Sequence, residues 1–208
     1  MKFRVDSIQY KTSGSILIRN KFIGEVSADQ IIVDEKGVVE GTLKSSELIV
    51  SGNVGGKINS DSIVVMENGR IVQIGKPREI YFNPSNVYVA SLFGEVNIFQ
   101  TKVLNNKCDT PLGILNTKDF KDNQQVNVVV RPEAIKLNVE KSPLTSPNSG
   151  VVVDSKFLGN SAIIHMTVND RNNNKHHIHS KLIGEFLPAP ASSVSFSLDL
   201  NHVFIFPR

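Results

Sequence analysis

The sequence predicts a mainly β protein: a short β-solenoid segment, then two short linker helices, then a small β-barrel. Three observations predict it. A ten-residue pattern repeats in the first third, two proline-led apolar segments sit mid-chain, and the second half alternates short β-branched runs with turn residues. The chain has 208 residues, 40% of them hydrophobic, enough for one or two cores. A net charge of +3 without a basic run argues against nucleic acid. The single cysteine, Cys108, allows no internal disulfide and fits a reducing cytoplasm. No apolar run approaches membrane-spanning length, and the opening MKFRVDSIQY lacks the apolar stretch of a secretion signal.

The repeat aligns Gly24–Val33, Gly41–Val50 and Gly56–Val65 as glycine, polar, aliphatic, polar, small, two polar, then three aliphatics, at spacings of 17 and 15 residues. Such units are too short for helix pairs, and their strands are too short to stand alone. With corners at Glu35-Lys36-Gly37 and Ser51-Gly52-Asn53, they read as coils that bury their aliphatics by stacking. A meander of β-hairpins is the alternative.

Ile63-Val64-Val65-Met66 reads as a strand buried on both faces, Asn68-Gly69 as a tight hairpin turn, and Arg70–Ile74 as the returning strand, ended by Gly75. Pro77 suits a first helical turn through Phe82, and Pro84 stops it. Ser85 is the expected cap of a second helix through Phe93, closed by Gly94. A strand follows at Phe99–Leu104, then a polar loop Asn105–Asp109 carrying Cys108. Further strands are expected at Leu112–Leu115, Gln124–Val130, Val151–Gly159, Ala162–Val168, Val194–Leu198 and His202–Phe206, with Pro143, Pro147, Asn148 and Gly150 in a loop and a polar turn at 169–175.

The first third, from about Ile18 to Ser60, resembles the bactofilin family, whose small β-helix polymerises without nucleotide. The stretch Ile63–Gly75, Pro77-Arg78-Glu79-Ile80-Tyr81, Pro84–Ala90 and Phe93–Asn97 resembles the exit from the ATPase domain of ABC importers of the iron(III), spermidine/putrescine and sugar type. The elements Val128–Ile135, Gly150–Gly159 and Leu198–Pro207 resemble the TOBE domain, an OB-like barrel that follows that ATPase domain. Expected boundaries are 1–62 for the bactofilin-like segment, 63–95 for the hairpin and linker helices, and 96–208 for the barrel. Residues 60–75 serve either as a fourth coil or as the ATPase-type hairpin.

The ATP machinery is not legible. The nearest phosphate-loop pattern, Ser51–Ile58, begins with Ser, places Ile58 where a hydroxyl should meet magnesium, and runs into strand-like sequence. The resemblances imply a non-catalytic regulatory or assembly module of an ABC-importer ATP-binding subunit, without a cofactor. A bactofilin-type scaffold carrying a TOBE barrel, and a truncated or artificial fusion, stay open as alternatives. Implied partners are importer ATPase subunits, further copies of the chain, or a small oxyanion, with the membrane reached only through a permease complex.

Few residues look chemical. In Lys175-His176-His177-Ile178-His179, alternation puts His177 and His179 on one face, with His165 on the facing strand as a conceivable third metal ligand; with no carboxylate or thiol to complete the set, the expected reading is a polar outer hairpin face without a metal. Arg131 and Glu133 flank Pro132; the resemblance implies a structural role in the barrel or its subunit-pairing surface, with an anion contact at Arg131 as the alternative. Gly94, Glu95 and Asn97 fall at the domain junction.

Overall fold

The computed structural model describes residues 8–138, 148–184 and 186–208; Pro143 and Pro147 of the expected loop, and the first seven residues, lie outside them. The chain divides into two compact units, Met1–Gly94 and Glu95–Arg208.

The first unit is a stack of parallel coils. β1 (Ile8–Lys11) and β2 (Ser15–Ile18) form the first coil, β3 (Lys21–Ser27) and β4 (Gln30–Val33) the second. β5 (Val38–Val50) and β6 (Asn53–Glu67) each run through a whole coil. The repeat is the ladder register: Gly24 pairs with Gly41 and Gly41 with Gly56, while Ile31, Leu48 and Ile63 align inside the stack. Those three aliphatics are buried, as are Val33, Val50 and Val65 two residues on. Polar positions stack on the outside. Ser15 Oγ donates to Gln30 Oε1 (2.9 Å), whose Nε2 donates to Glu47 Oε2 (2.5 Å).

At Gly24, Gly41 and Gly56 φ is positive, so a Cβ would point along the stack at the preceding coil, where strands about 4.8 Å apart leave no room for it. A Cβ on Gly41, at φ +149°, would lie 1.9 Å from the Gly24 carbonyl oxygen, and one on Gly24 would lie 2.2 Å from that of Ile8. The clash always points to the preceding coil. Ile8 is the ladder partner of Gly24 and carries a side chain where the later coils have glycine. That substitution, with one extra residue between β1 and β2, hid the first coil from the repeat.

β6 takes both roles that its sequence suggested. Its Asn53–Val65 stretch pairs in parallel with β5, and Ile63–Glu67 pairs antiparallel with β7 (Arg70–Gly75) across the Asn68-Gly69 turn, where both φ angles are positive. One expectation fails: Ile63 and Val65 are buried but Val64 and Met66 only half so, because β6 presents a single face to the coil interior.

α1 (Pro77–Phe82) and α2 (Val87–Leu92) pack Ile80, Val89 and Leu92 into the same core as the coils. The Tyr88 hydroxyl shares its proton between the Ser51 and Met66 carbonyls (2.9 and 2.8 Å). Asn86, not Ser85, caps α2: its Oδ1 accepts from Val89 N–H, while Ser85 N–H donates to Gln73 Oε1. Among the described residues no helix is long and apolar enough to cross a membrane.

The second unit is two five-stranded antiparallel sheets closed on one core. The first orders β10 (Gly113–Asn116), β9 (Lys107–Thr110), β8 (Asn97–Leu104), β11 (Gln125–Val130) and β17 (Val203–Pro207). The second orders β12 (Ile135–Asn138), β16 (Ser193–Leu198), β13 (Ser149–Phe157), β14 (Ser161–Asn169) and β15 (Lys175–Ile183). Phe99, Val128, Val152, Ile164, Ile178 and Phe196 from both sheets share the interior. The expected loop at Asn105–Asp109 is instead a two-residue turn. Asn105 and Asn106 take positive φ, which asparagine tolerates, so Lys107–Thr110 returns as a strand and Cys108 is buried rather than loop-borne. Burial raises its thiol pKa. Gly150 likewise lies within β13, not in a loop.

The glycine ladder has a sharp test. Gly41→Ala is expected to lower the stability of the coil unit by about 2 kcal/mol or more, through steric overlap and a left-handed backbone. In Gly55→Ala the new methyl would meet Val39 O at an ordinary 3.6 Å, with an expected cost under about 1 kcal/mol. Urea denaturation followed by circular dichroism reads both; equal losses would contradict the ladder.

Candidate functional site

The histidines come together. β14 and β15 pair in register, His165 opposite His179 and Thr167 opposite His177. Alternation buries Ile164, Met166 and Ile178 and turns His165, His177 and His179 outward. Their rings lie side by side, with centroids 4.4 Å apart for His165–His179, 5.1 Å for His177–His179 and 5.4 Å for His165–His177. His165 Nδ1 and His177 Nε2 are 3.1 Å apart, a hydrogen bond in which either can be the donor. One nitrogen from each ring lies within 4.8 Å of the other two. Partial burial, then the adjacent His179 and His165, push the His177 pKa below its ordinary value.

Two residues placed at the junction by sequence turn out to grip this cluster. Asn97, 6% exposed at the start of β8, pairs its amide with the His179 backbone: Nδ2 donates to His179 O (2.9 Å) and to Val130 O (3.2 Å), and Oδ1 accepts from His179 N–H (2.8 Å). That amide bridges the two sheets. The Glu95 carboxylate meets His179 Nδ1 at 3.1 Å. Gly94 is exposed, with φ +126°, and makes none of these contacts.

The remaining candidates lie apart. Arg131 is 1% exposed, its guanidinium over the Phe204 ring at 5.6 Å, inside the barrel. Half-buried Glu133 lines a cleft of about 560 Å³ with Lys136, Asn160, Ser161, Lys181, Leu182 and Ile183. Sequence reasoning missed Asp170, which organises the turn between β14 and β15. It accepts from Asn172 N–H, Asn174 N–H and Asn174 Nδ2, and contacts His176 Nε2 at 3.1 Å. Its pKa falls to about 2, chiefly through the Asn174 side chain and then His176. The signal was the spacing Asp-x-Asn-x-Asn, which suits a side-chain-closed turn.

Residues 128–206 match the TOBE domain. Residues 6–76 match the bactofilin model, described as polymer-forming cytoskeletal, a span wider at both ends than the resemblance read from sequence. The spermidine/putrescine import ATP-binding protein PotA of Mannheimia succiniciproducens is 32% identical over 154 residues, covering 67% of this chain and 39% of that protein. PotA of Clostridioides difficile is 36% identical over 116 residues, covering 54% and 32%. The chain thus spans well under half the length of these relatives. Among solved structures, the cytoplasmic molybdate-binding protein ModG with molybdate bound aligns at 15% identity and a TM-score of 0.35, covering 54% of this chain and 96% of ModG.

Asp170 contributes to the acid behaviour of the barrel, as does Asp199, whose carboxyl is also held below its ordinary range, chiefly by the Asn201 backbone N–H. The folded pKa of Asp170 lies below the ordinary 3.8, so the unfolded chain binds the extra proton as pH falls. Its stabilising contribution is complete above pH 3.8 and is lost as pH falls towards about 2. Asp170→Asn should flatten the acid limb of a stability–pH curve in that window, leaving the curve above pH 5 parallel to the parent's.

Proposed function

We propose that this chain is a non-catalytic assembly and regulatory module related to the ATP-binding subunit of a polyamine-type ABC importer, with a bactofilin-like solenoid in place of the nucleotide-binding core. The observation that carries this reading is the joint extent of the matches. The TOBE match occupies 128–206, and the Mannheimia alignment takes in a larger share of the chain than Glu95–Arg208 can hold, so it reaches into the unit before the barrel. The decoy phosphate loop supports the non-catalytic part: Lys57 sits mid-strand in β6, paired with Thr42, with its segment engaged in a β-ladder rather than leading into a helix.

A TOBE barrel joined to the hairpin and helices that normally leave an ATPase domain can pair with a complete ATP-binding subunit. The purified chain should therefore bind PotA-type subunits and change their ATP turnover, while hydrolysing no ATP itself. Neither binding nor altered turnover, or hydrolysis by the chain alone, would contradict the proposal.

Self-association is a second reading, favoured by the strand order. β1 and β2 are the terminal strands of the sheet path, each with one described neighbour. The opposite end is covered by β7, α1 and α2. Among the described residues one end of the stack is left open, which lets two chains stack but does not propagate a filament. Light scattering behind size-exclusion chromatography should show a dimer and nothing larger across a concentration series; a monomer throughout would remove this reading, and filaments would contradict it and favour a cytoskeletal scaffold.

A further inference from the structure

A transition-metal ion needs several neutral nitrogen donors converging on one point, held by a backbone that does not have to reorganise. The outward face of the β14–β15 hairpin supplies such a set. We propose that His165, His177 and His179 form a binding site for one divalent transition-metal ion of the zinc, cobalt, nickel or copper class, with Glu95 as a positioning residue.

Four features support it. The antiparallel register fixes His165 directly across from His179 and sets His177 two residues further along the same face. The nitrogens are already close. Zinc–nitrogen bonds of 2.0–2.1 Å in a tetrahedral site put ligand nitrogens roughly 3.4 Å apart. His165 Nδ1 and His177 Nε2 stand 3.1 Å apart, and no donor in the set is beyond 4.8 Å, a gap that side-chain rotation closes. The third feature lies behind the ligands. Glu95 occupies His179 Nδ1, which leaves Nε2 for the ion, and a carboxylate behind a ligating imidazole fixes its tautomer and raises its basicity. Asn97 meanwhile pins the His179 backbone by two hydrogen bonds.

Charge is compatible with a cation. Lys175 and Lys181 share the outward alternation of β15, but Glu95 contacts the cluster directly and Asp154 is the register partner of His165 on β13. Three imidazoles and a solvent-facing fourth position favour zinc-like ions over magnesium or calcium, which prefer oxygen donors. The site goes beyond the importer reading and does not depend on it.

The test is calorimetric titration of the tag-free 208-residue chain with zinc at neutral pH in a non-chelating buffer, with cobalt absorption as a second readout. One ion per chain is expected, together with the visible band of cobalt held by nitrogen donors, and no response to magnesium. His165→Asn and His177→Asn, both outward-facing, should abolish binding without changing the melting temperature. Glu95→Gln should keep one ion per chain and weaken it about 10- to 100-fold. His176→Asn, on the other face, should leave binding unchanged. Absence of binding with zinc in excess, binding by His165→Asn or His177→Asn as tight as the parent's, or loss of binding in His176→Asn would each overturn the proposal.

Discussion

The first unit depends on one strand with two kinds of neighbour. β6 offers one edge to β5 in parallel register and part of the other to β7 in antiparallel register. A parallel stack has no natural end, since each coil leaves unpaired N–H and C=O groups for the next. Antiparallel β7 satisfies the Ile63–Glu67 edge, while Ile80, Val89 and Leu92 cover the last layer of aliphatics. What sequence motifs assign to two unrelated families is therefore one continuous core. A seam here is physically tolerable because a run such as Ile63-Val64-Val65 meets the demands of either pairing: alternate aliphatics inward, no proline, and Asn68-Gly69 next to turn the chain.

In the barrel the corresponding point is Asn97. Two sheets sharing a core leave a gap where their edges do not pair, and the Asn97 amide spans it as a peptide group would, donor and acceptor both used. The same side chain fixes His179, so the element that closes the fold also orders the histidine cluster.

Legibility followed how local each determinant is. The coils could be read because the glycine, the polar positions and the three aliphatics repeat in the chain as they stack in space. The first coil could not, because Ile8 stands where the repeat has glycine and one extra residue separates β1 from β2. Cys108 was misplaced since Asn105-Asn106 turns the chain in two residues where composition suggested a longer loop. Choosing Ser85 over Asn86 as a cap failed because adjacent polar residues differ only in which backbone angle the chain selects. The histidine cluster was visible from alternation within one hairpin. Its partners were not: Asn97 reaches His179 across 82 residues of sequence, a distance that only the closed barrel removes.

The central claim is that coils, hairpin and helices form one cooperative unit across residue 62. Hydrogen–deuterium exchange of the intact chain, resolved by peptide, measures this most directly. Amides of Ile63–Val65, β7 and α2 should open with the same free energy and denaturant dependence as those of Leu48–Val50 in β5, separately from the barrel. Exchange of the hairpin and helices ahead of the coils, or together with the barrel, would contradict a shared core and return the chain to two segments joined without a common structure.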